Sequence, residues 1–187
     1  MISDVDASLS ALLREEVLRG QSADIVFDAP TTEWAARRNG PVVDVFMYDI
    51  REDVERRDAA AQPVRDQRGR ITGHRPGPRY FRLSYLLTAW TSRPEDEHHL
   101  LGQMLENLVR FDRIPAVHLS GRLADEQVVL QVALPPGEDR SLTDLWSALG
   151  GEMKPSLDVV LIAPLQPAKE FVAGPPVRER DLRVVER

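Results

Sequence analysis

The pattern of apolar residues near the amino terminus predicts an amphipathic helix. Between Ser3 and Val17 the large apolar side chains recur every three or four positions, which places them on one helical face. These residues are Val5, Leu9, Leu12, Leu13 and Val17. Ser3 and Asp6 fit the S-x-x-D pattern of a helix cap, and Gly20 is typical of a helix end. We therefore expect this helix to cover a hydrophobic core.

Five later segments have the composition of β-strands, since each is rich in apolar and β-branched residues. They span residues 24–28, 41–50, 80–92, 127–134 and 157–163. The segment from Pro41 to Ile50 is apolar on both faces, as in a strand at the centre of a covered sheet. The segment from Tyr80 to Ser92 exceeds the usual strand length, so we expect it to cross the whole sheet or to extend past it.

Two further helices and a hairpin are predicted by capping and turn residues. Ser92–Glu95 combines a capping serine with a proline in the first turn, and the helix should end before Pro115. Residues 141–149 form a second, short helix that begins at a capping serine and is closed by two glycines. Residues 64–72 predict a hairpin that turns at residues 67–69.

These elements predict one α/β (α+β) domain over residues 1–165. It has a mixed central β-sheet of about five strands flanked by helices, with the small arginine-rich hairpin attached. Residues 31–39 read as an irregular connection between two strands. Residues 166–187 contain three prolines and no helical period, which predicts an extended C-terminal tail with a weak strand pattern at residues 182–185.

Composition excludes several classes of protein. The chain has 187 residues, 42% of them hydrophobic and 29% charged, as expected of a globular domain rather than a disordered one. No apolar stretch approaches the roughly 20 residues of a membrane-spanning helix, and a net charge of −6 argues against a duplex nucleic-acid binder. The absence of cysteine removes disulfides and thiolate sites. No leader is visible at the amino terminus, so we expect a cytoplasmic protein.

Charge is distributed unevenly along the chain. Residues 63–82 contain six arginines and one aspartate, whereas an acidic block occupies residues 95–97. The two groups comprise Arg65, Arg68, Arg70, Arg75, Arg79 and Arg82 on one side and Glu95, Asp96 and Glu97 on the other. Solvated charged faces are the simpler interpretation. The alternative is head-to-tail complementarity between copies of the chain.

No catalytic, cofactor or metal site is predicted. His98 and His99 are adjacent on a helix, so their side chains diverge by about 100° and do not share one metal ion. His74 and His118 have no recognisable partner. No nucleophile elbow and no phosphate-binding glycine loop is present. Asp44 and Asp49 are five positions apart on one predicted strand, so we expect them to face opposite sides, which would be wrong for paired acid–base catalysis. We therefore expect a protein that is not an enzyme.

The tryptophans divide into two groups. Trp90 and Trp146 lie in regular elements and are expected to fill the core. Trp34 lies in the irregular connection beside Arg37 and Arg38, and an aromatic residue among arginines is typical of an interface hot spot. These three residues and all of the charged residues above except Arg75 make up the predicted protein interface.

Several stretches together resemble one known family. They are VFMYDIRED at 45–53, YFRLSYLLTAW at 80–90, WSALGG at 146–151 with KPSL at 154–157, DAP at 28–30 and HHLL at 98–101. In order and without obvious gaps, the chain resembles the cap, or tail-terminator, proteins of extracellular contractile injection systems from residue 1 to about residue 176. The ending RERDLRVVER matches no motif of that family.

The resemblance implies a structural role. Proteins of this kind form a six-fold ring at the end of the inner tube and outer sheath, so the implied partners are other copies of the chain and the sheath and inner-tube subunits. It implies a mixed sheet with flanking helices and no cofactor. Sheath subunits of such machines exchange strands, so the strand at 80–92, the hairpin or the tail could present an edge for β-augmentation.

Two alternatives from other classes stay open at this point. One is a small α/β binding or regulatory module unrelated to injection machines. The other is an enzyme whose site has no recognisable motif, which a deep polar pocket would support.

Overall fold

A computed structural model describes residues 1–38, 40–57, 60–135, 141–166, 171–172 and 174. The α-helices are α1 (Ile2–Leu12), α2 (Thr32–Ala36), α3 (Pro94–Leu108) and α4 (Leu142–Leu149). The strands are β1 (Asp24–Val26), β2 (Val42–Glu52), β3 (Gln62–Arg65), β4 (Ile71–Arg75), β5 (Arg79–Trp90), β6 (Val129–Val132), β7 (Leu157–Leu165) and β8 (Phe171–Val172). A π-helical turn, Leu13–Val17, continues α1, and short 3-10 helices span Val54–Arg56, Ala116–His118 and Gly121–Leu123.

Five strands form a mixed sheet in the order β1-β2-β5-β7-β6. β1 runs parallel to β2, and the other neighbours are antiparallel. This confirms the predicted fold class. β5 is the central strand, with β2 paired along Phe81–Trp90 on one side and β7 along Arg79–Leu87 on the other. The suggestion that this long strand offers a free edge is therefore wrong, because both of its edges are already paired.

One face of the sheet packs against α1, the π-helical turn and α3 around the main core. Every apolar residue predicted for the first helix is buried there. The helix begins at Ile2 rather than after Ser3, and the amino group of Met1 pairs with the Asp4 carboxylate at 3.1 Å. Tyr85 of β5 is fully buried and donates a hydrogen bond of 2.7 Å to Asp6.

Trp146 of α4 is buried on a different side of the chain from the main core cluster, close to the chain at Gly151 and Pro30. The predicted cap of α4 is confirmed, because the Ser141 hydroxyl accepts a hydrogen bond from the amide of Asp144. Gly150 ends the helix with φ of +68°, a left-handed conformation that favours glycine. The expectation that residues 31–39 form an irregular connection is wrong in part, because Thr31 caps the short helix α2 there.

The predicted hairpin is present and belongs to a second, three-stranded sheet in the order β3-β4-β8. Gly73 of β4 lies so close to β8 that an added Cβ would meet the carbonyl oxygen of Phe171 at 2.8 Å, which explains a glycine here. The described part of the predicted tail thus contributes a strand. The strand pattern at 182–185 lies outside the described residues, and the division at residue 165 stays a prediction.

Candidate protein–protein interface

A cluster of aromatic and charged side chains lies at the end of the central sheet where β5 finishes. Trp34 of α2 donates a hydrogen bond from Nε1 to Asp28 at 2.8 Å, and the Arg38 guanidinium lies 4.5 Å from the centre of its ring. Arg38 also pairs with Asp28 at 2.5 Å. One carboxylate therefore orients both the indole and the arginine that stacks on it.

Trp90 extends this cluster across the sheet. Its ring meets Trp34 edge to face, with centroids 5.1 Å apart, and the Lys154 ammonium lies 4.2 Å from its centre. Lys154 in turn pairs with Glu97 of α3 at 2.6 Å, and Glu97 accepts a further hydrogen bond from the backbone amide of Thr91. The result is a pair of contacting indoles with one cation on the outer side of each, and each cation is paired with a carboxylate.

An open cleft of about 680 Å³ lies beside the ring of Trp90, and we call it the Trp90 cleft. Its walls include the loop from Gly20 to Ala23, Arg38 of the α2 segment, and Asp96, His99 and Leu100 of α3. The volume lies within the range of ordinary ligand and peptide sites. Apolar surface from Trp90 and Leu100 combined with polar side chains makes the cleft suited to a polar protein segment.

Asp44 lies close to this cluster, on the β2 segment that pairs with β1. Its side chain is fully buried, and neither carboxylate oxygen makes a hydrogen bond within the described part of the chain. Burial, reinforced by the negative charge of Asp28, raises the pKa of Asp44 to about 7. The backbone amides of Asp28 and Val45, which lie nearby but outside hydrogen-bond geometry, and the charge of Arg38 offset only part of that rise in the pKa.

The arginine-rich hairpin lies at the opposite end of the central sheet, where β5 begins. Asp66 organises its turn by accepting hydrogen bonds from the amides of Arg68 and Arg70 and by pairing with the Arg70 side chain at 2.8 Å. The bond from the Arg70 amide is the main reason that the pKa of Asp66 is lowered. Arg65 donates to the carbonyl of Gly69 at 2.8 Å. Its guanidinium is thus held without a carboxylate partner.

Arg79 and Arg82 have a different environment from the hairpin arginines. Arg79 forms a two-pronged ion pair with Glu52 of β2, and these hydrogen bonds lower the pKa of Glu52. Arg82 lies 3.8 Å from Asp53 and donates to Gln131 at 3.2 Å. Both arginines join neighbouring strands of one chain, so their partners are internal.

The predicted interface residues therefore fall into two groups at opposite ends of β5. Trp34, Arg38 and the acidic residues that begin α3 share the Trp90 end, whereas the five arginines share the hairpin end. Arg37 lies on the exposed side of α2 and pairs with Glu33 at 3.2 Å. Glu97 is nearly buried and bound to Lys154, so it stabilises its own chain.

Sequence reasoning missed three members of the cluster at the Trp90 end: Trp90, Lys154 and Asp28. Trp90 was expected to fill the core, but it is half-buried and lines the cleft. Lys154 is one of only two lysines among 24 basic residues, and that rarity was the available signal. Asp28 was noted only as part of the DAP motif, since its bonds to Trp34 and Arg38 depend on how α2 folds back.

Neither a metal centre nor a membrane helix emerges from the described residues. No group of three or more potential metal ligands comes together among them. None of their helices combines the length and apolar character required to cross a bilayer.

Comparison with known proteins gives a consistent result. The family model described as the Pvc16 N-terminal domain matches residues 4–179. The sheath/tube terminator of an extracellular contractile injection system (PVC), in its extended state, is similar with a TM-score of 0.74 and 25% identity over 100% of this chain. The tube terminating cap of the anti-feeding prophage is similar with a TM-score of 0.71 and 25% identity over 98% of this chain. No match to a curated protein sequence was found.

The chain spans just under two thirds of each of those two solved chains, 64% of the first and 62% of the second. The similarity therefore covers all or nearly all of this chain but only part of each of those proteins.

Proposed function

This chain belongs to the Pvc16 N-terminal domain family, and from that membership we propose that it acts as a tube and sheath terminator in a contractile injection particle. In this role it forms a hexameric ring on the end of the inner tube, stops polymerisation of the tube and anchors the sheath. Its partners are then other copies of itself and the sheath and tube subunits. We further propose that it assembles in the cytoplasm.

The structural match carries this proposal. A similarity with TM-scores of 0.74 and 0.71 extends over the whole chain, including both ends of the central sheet, rather than over one supersecondary motif. Both matched proteins are named as terminators of a tube or of a sheath and tube. That favours the terminator over an unrelated α/β binding module, and it supports a structural rather than an enzymatic role.

The architecture also supplies what a closed ring requires. A ring is built by a heterologous interface, in which one surface of a subunit binds a different surface of the next. The Trp90 end and the hairpin end differ in shape and in charge, and they lie on opposite sides of the molecule. Each copy can therefore present one end to each neighbour.

The test is to purify the chain alone and together with the tube and sheath subunits, and to measure mass and negative-stain images of each sample. We expect six-fold rings of six times the 21.1-kDa chain mass, either free or at one end of each particle. Particles assembled without the chain should vary in tube length and lose their sheath. Uniform, fully sheathed particles in its absence would contradict the proposed function.

A further inference from the structure

We propose that neighbouring copies in the ring are joined by the hairpin of one copy, residues 62–75, lying in the Trp90 cleft of the next. This inference rests on the proposed function, because it specifies the contact that closes the ring. Its occupant is a second copy of this chain rather than a peptide of the sheath or the tube.

The hairpin is built as a segment that needs a partner. Among the described residues, no side chain of the main core lies between Val45 and Leu83. In β3 and β4 only Gly73 is buried, whereas Ile71 is 45% exposed. A sheet this small has little stability unless its face packs on something else. Within the described part of the chain, the hairpin is therefore left available to another molecule.

The hairpin also carries positive charge that the described residues of its own chain do not neutralise. Arg70 is paired with Asp66, but Arg65, Arg68 and Arg75 contact no carboxylate in the described part of the chain. Arginine stems pack well on apolar and aromatic surface while their guanidinium groups pair with carboxylates. The matching site should thus offer both an aromatic wall and unpaired acids.

The Trp90 cleft has this composition. The Trp90 ring and Leu100 provide apolar wall, and Asp96 lines the cleft without an ion-pair partner among the described residues. Asp24 directly follows Ala23, which lines the cleft. It is exposed and has no ion-pair partner among the described residues. Arg38 is already neutralised by Asp28, so the unpaired charge at the cleft is negative.

The two surfaces are too far apart to meet within one molecule. They lie at opposite ends of the twelve-residue strand β5, which spans about 36 Å at 3.3 Å per residue. A contact between hairpin and cleft is therefore possible only between copies, and repeating it in one direction produces a closed ring or an open chain.

The absence of cysteine allows a direct test by disulfide cross-linking. Arg68→Cys and Asp96→Cys are introduced together, and oxidised particles carrying the variant are examined on a non-reducing gel. We expect a ladder of covalent oligomers that ends at the ring size and collapses on reduction. Either single variant should give at most dimers, and a matched pair of Arg68→Cys with Arg122→Cys, which lies outside the cleft, should give no ladder.

A charge exchange gives a second measurement that does not depend on cysteine geometry. Arg68→Glu or Asp96→Arg alone should weaken association about tenfold or more, with a larger effect at low salt, and the two together should recover most of it. Arg122→Glu is the control. The hairpin contact would be overturned if caps form normally but show neither a cross-link ladder nor charge rescue. It would also be overturned if the hairpin cysteine cross-links to the tube or the sheath. Either result would leave the proposed function standing. A chain that never caps a particle would overturn both.

Discussion

Asp44 is the residue whose environment conflicts most with its ordinary chemistry. It is fully buried beside Asp28, and its carboxylate oxygens lack hydrogen bonds among the described residues. Burying an unpaired charge costs far more than burying a neutral acid, so the folded state favours the protonated form. With a pKa of about 7, this group changes charge near neutral pH.

The stability of the protein should consequently depend on pH through Asp44. The unfolded chain releases this proton near pH 3.8, whereas the folded chain keeps it until about pH 7. The free energy of unfolding should therefore fall as pH rises from about 4 to 7, by up to about 4 kcal/mol, and then level off. Urea unfolding of the wild type and of Asp44→Asn at pH 5, 6, 7 and 8 measures this.

The stability of Asp44→Asn relative to wild type should rise from pH 5 to pH 7 and then level off toward pH 8, because asparagine has no proton to lose. Asp24→Asn is the control, since Asp24 is exposed at the start of β1. Parallel pH profiles for wild type and Asp44→Asn would show that this carboxyl group does not titrate in that range.

At the residue scale, local sequence context identified some cluster members and not others. Trp34 and Arg38 could be grouped from the sequence because they are four positions apart, and the Arg38 guanidinium does lie 4.5 Å from the Trp34 ring centre. Their role in a protein interface stays a prediction. The partner of Glu97 could not be identified from the sequence. Lys154 is 57 positions away and contacts Glu97 only when α3 and the loop following α4 are in place.

At the scale of elements, one hydrogen bond joins the first helix to the middle of the sheet. Tyr85 is buried at the centre of β5, and its hydroxyl donates to Asp6 of α1 at 2.7 Å. Burial of the Asp6 carboxyl raises its pKa, and the tyrosine hydrogen bond opposes that rise by stabilising the charged form. The pair thus sets the position of α1 on the sheet at a point where apolar packing alone has no directional preference.

Tyr85→Phe should destabilise the protein by about 1.5–3 kcal/mol, the usual range for a hydrogen bond to a charged group. Chemical denaturation at pH 7 measures the change. Tyr80→Phe on the same strand is the matched control, because the Tyr80 hydroxyl makes no hydrogen bond in the described part of the chain and should cost much less. Equal decreases in the free energy of unfolding for the two variants would mean that the hydrogen bond to Asp6 makes no specific contribution to stability.

Elements with a clear hydrophobic period were the ones that the sequence predicted well. The first helix, the five strands of the main sheet, α3 and α4 all occur where their patterns indicated. α2 was missed because five residues with no buried side chain carry no periodic signal. β8 was missed because two residues become a strand only by pairing with β4.

At the scale of the whole molecule, the central strand separates two surfaces of different character. The Trp90 cleft lies beyond one end of β5 and the hairpin sheet beyond the other. This polarity suits a ring subunit, which needs two different faces for its neighbours. In the proposed ring, the other faces of the subunit would serve the contacts along the particle axis.

The C-terminal tail is the predicted candidate for contacts with the sheath. Residues 182–185 have a strand pattern, and an extended segment can add a strand to a neighbouring sheet through backbone hydrogen bonds. Deleting residues 177–187 should weaken sheath attachment while rings still form, as judged by co-purification and electron microscopy. A tail of native length with Leu182, Val184 and Val185 changed to serine should show the same loss, and full attachment of the deleted chain would exclude the tail.

The sequence by itself determined the class of the protein and the order of its elements. Periodicity, caps and turns are local properties, and a length and composition typical of a globular domain exclude whole classes of function without any structure. The stretches that resemble cap proteins are likewise contiguous, and the family match over residues 4–179 confirms what they indicated.

Tertiary structure alone decided which charges pair within the chain and which are left for partners. Arg79 and Arg82 looked like the hairpin arginines in sequence, yet β5, which contains both, brings them to acidic residues at the end of β2. The Arg68 side chain in the hairpin contacts no described carboxylate. Those outcomes depend on strand register and on contacts between residues far apart in the chain, and a linear pattern contains neither. Charge along the chain already suggested head-to-tail pairing between copies, but only the fold places the two charged groups at opposite ends of β5, where the proposed contact needs them.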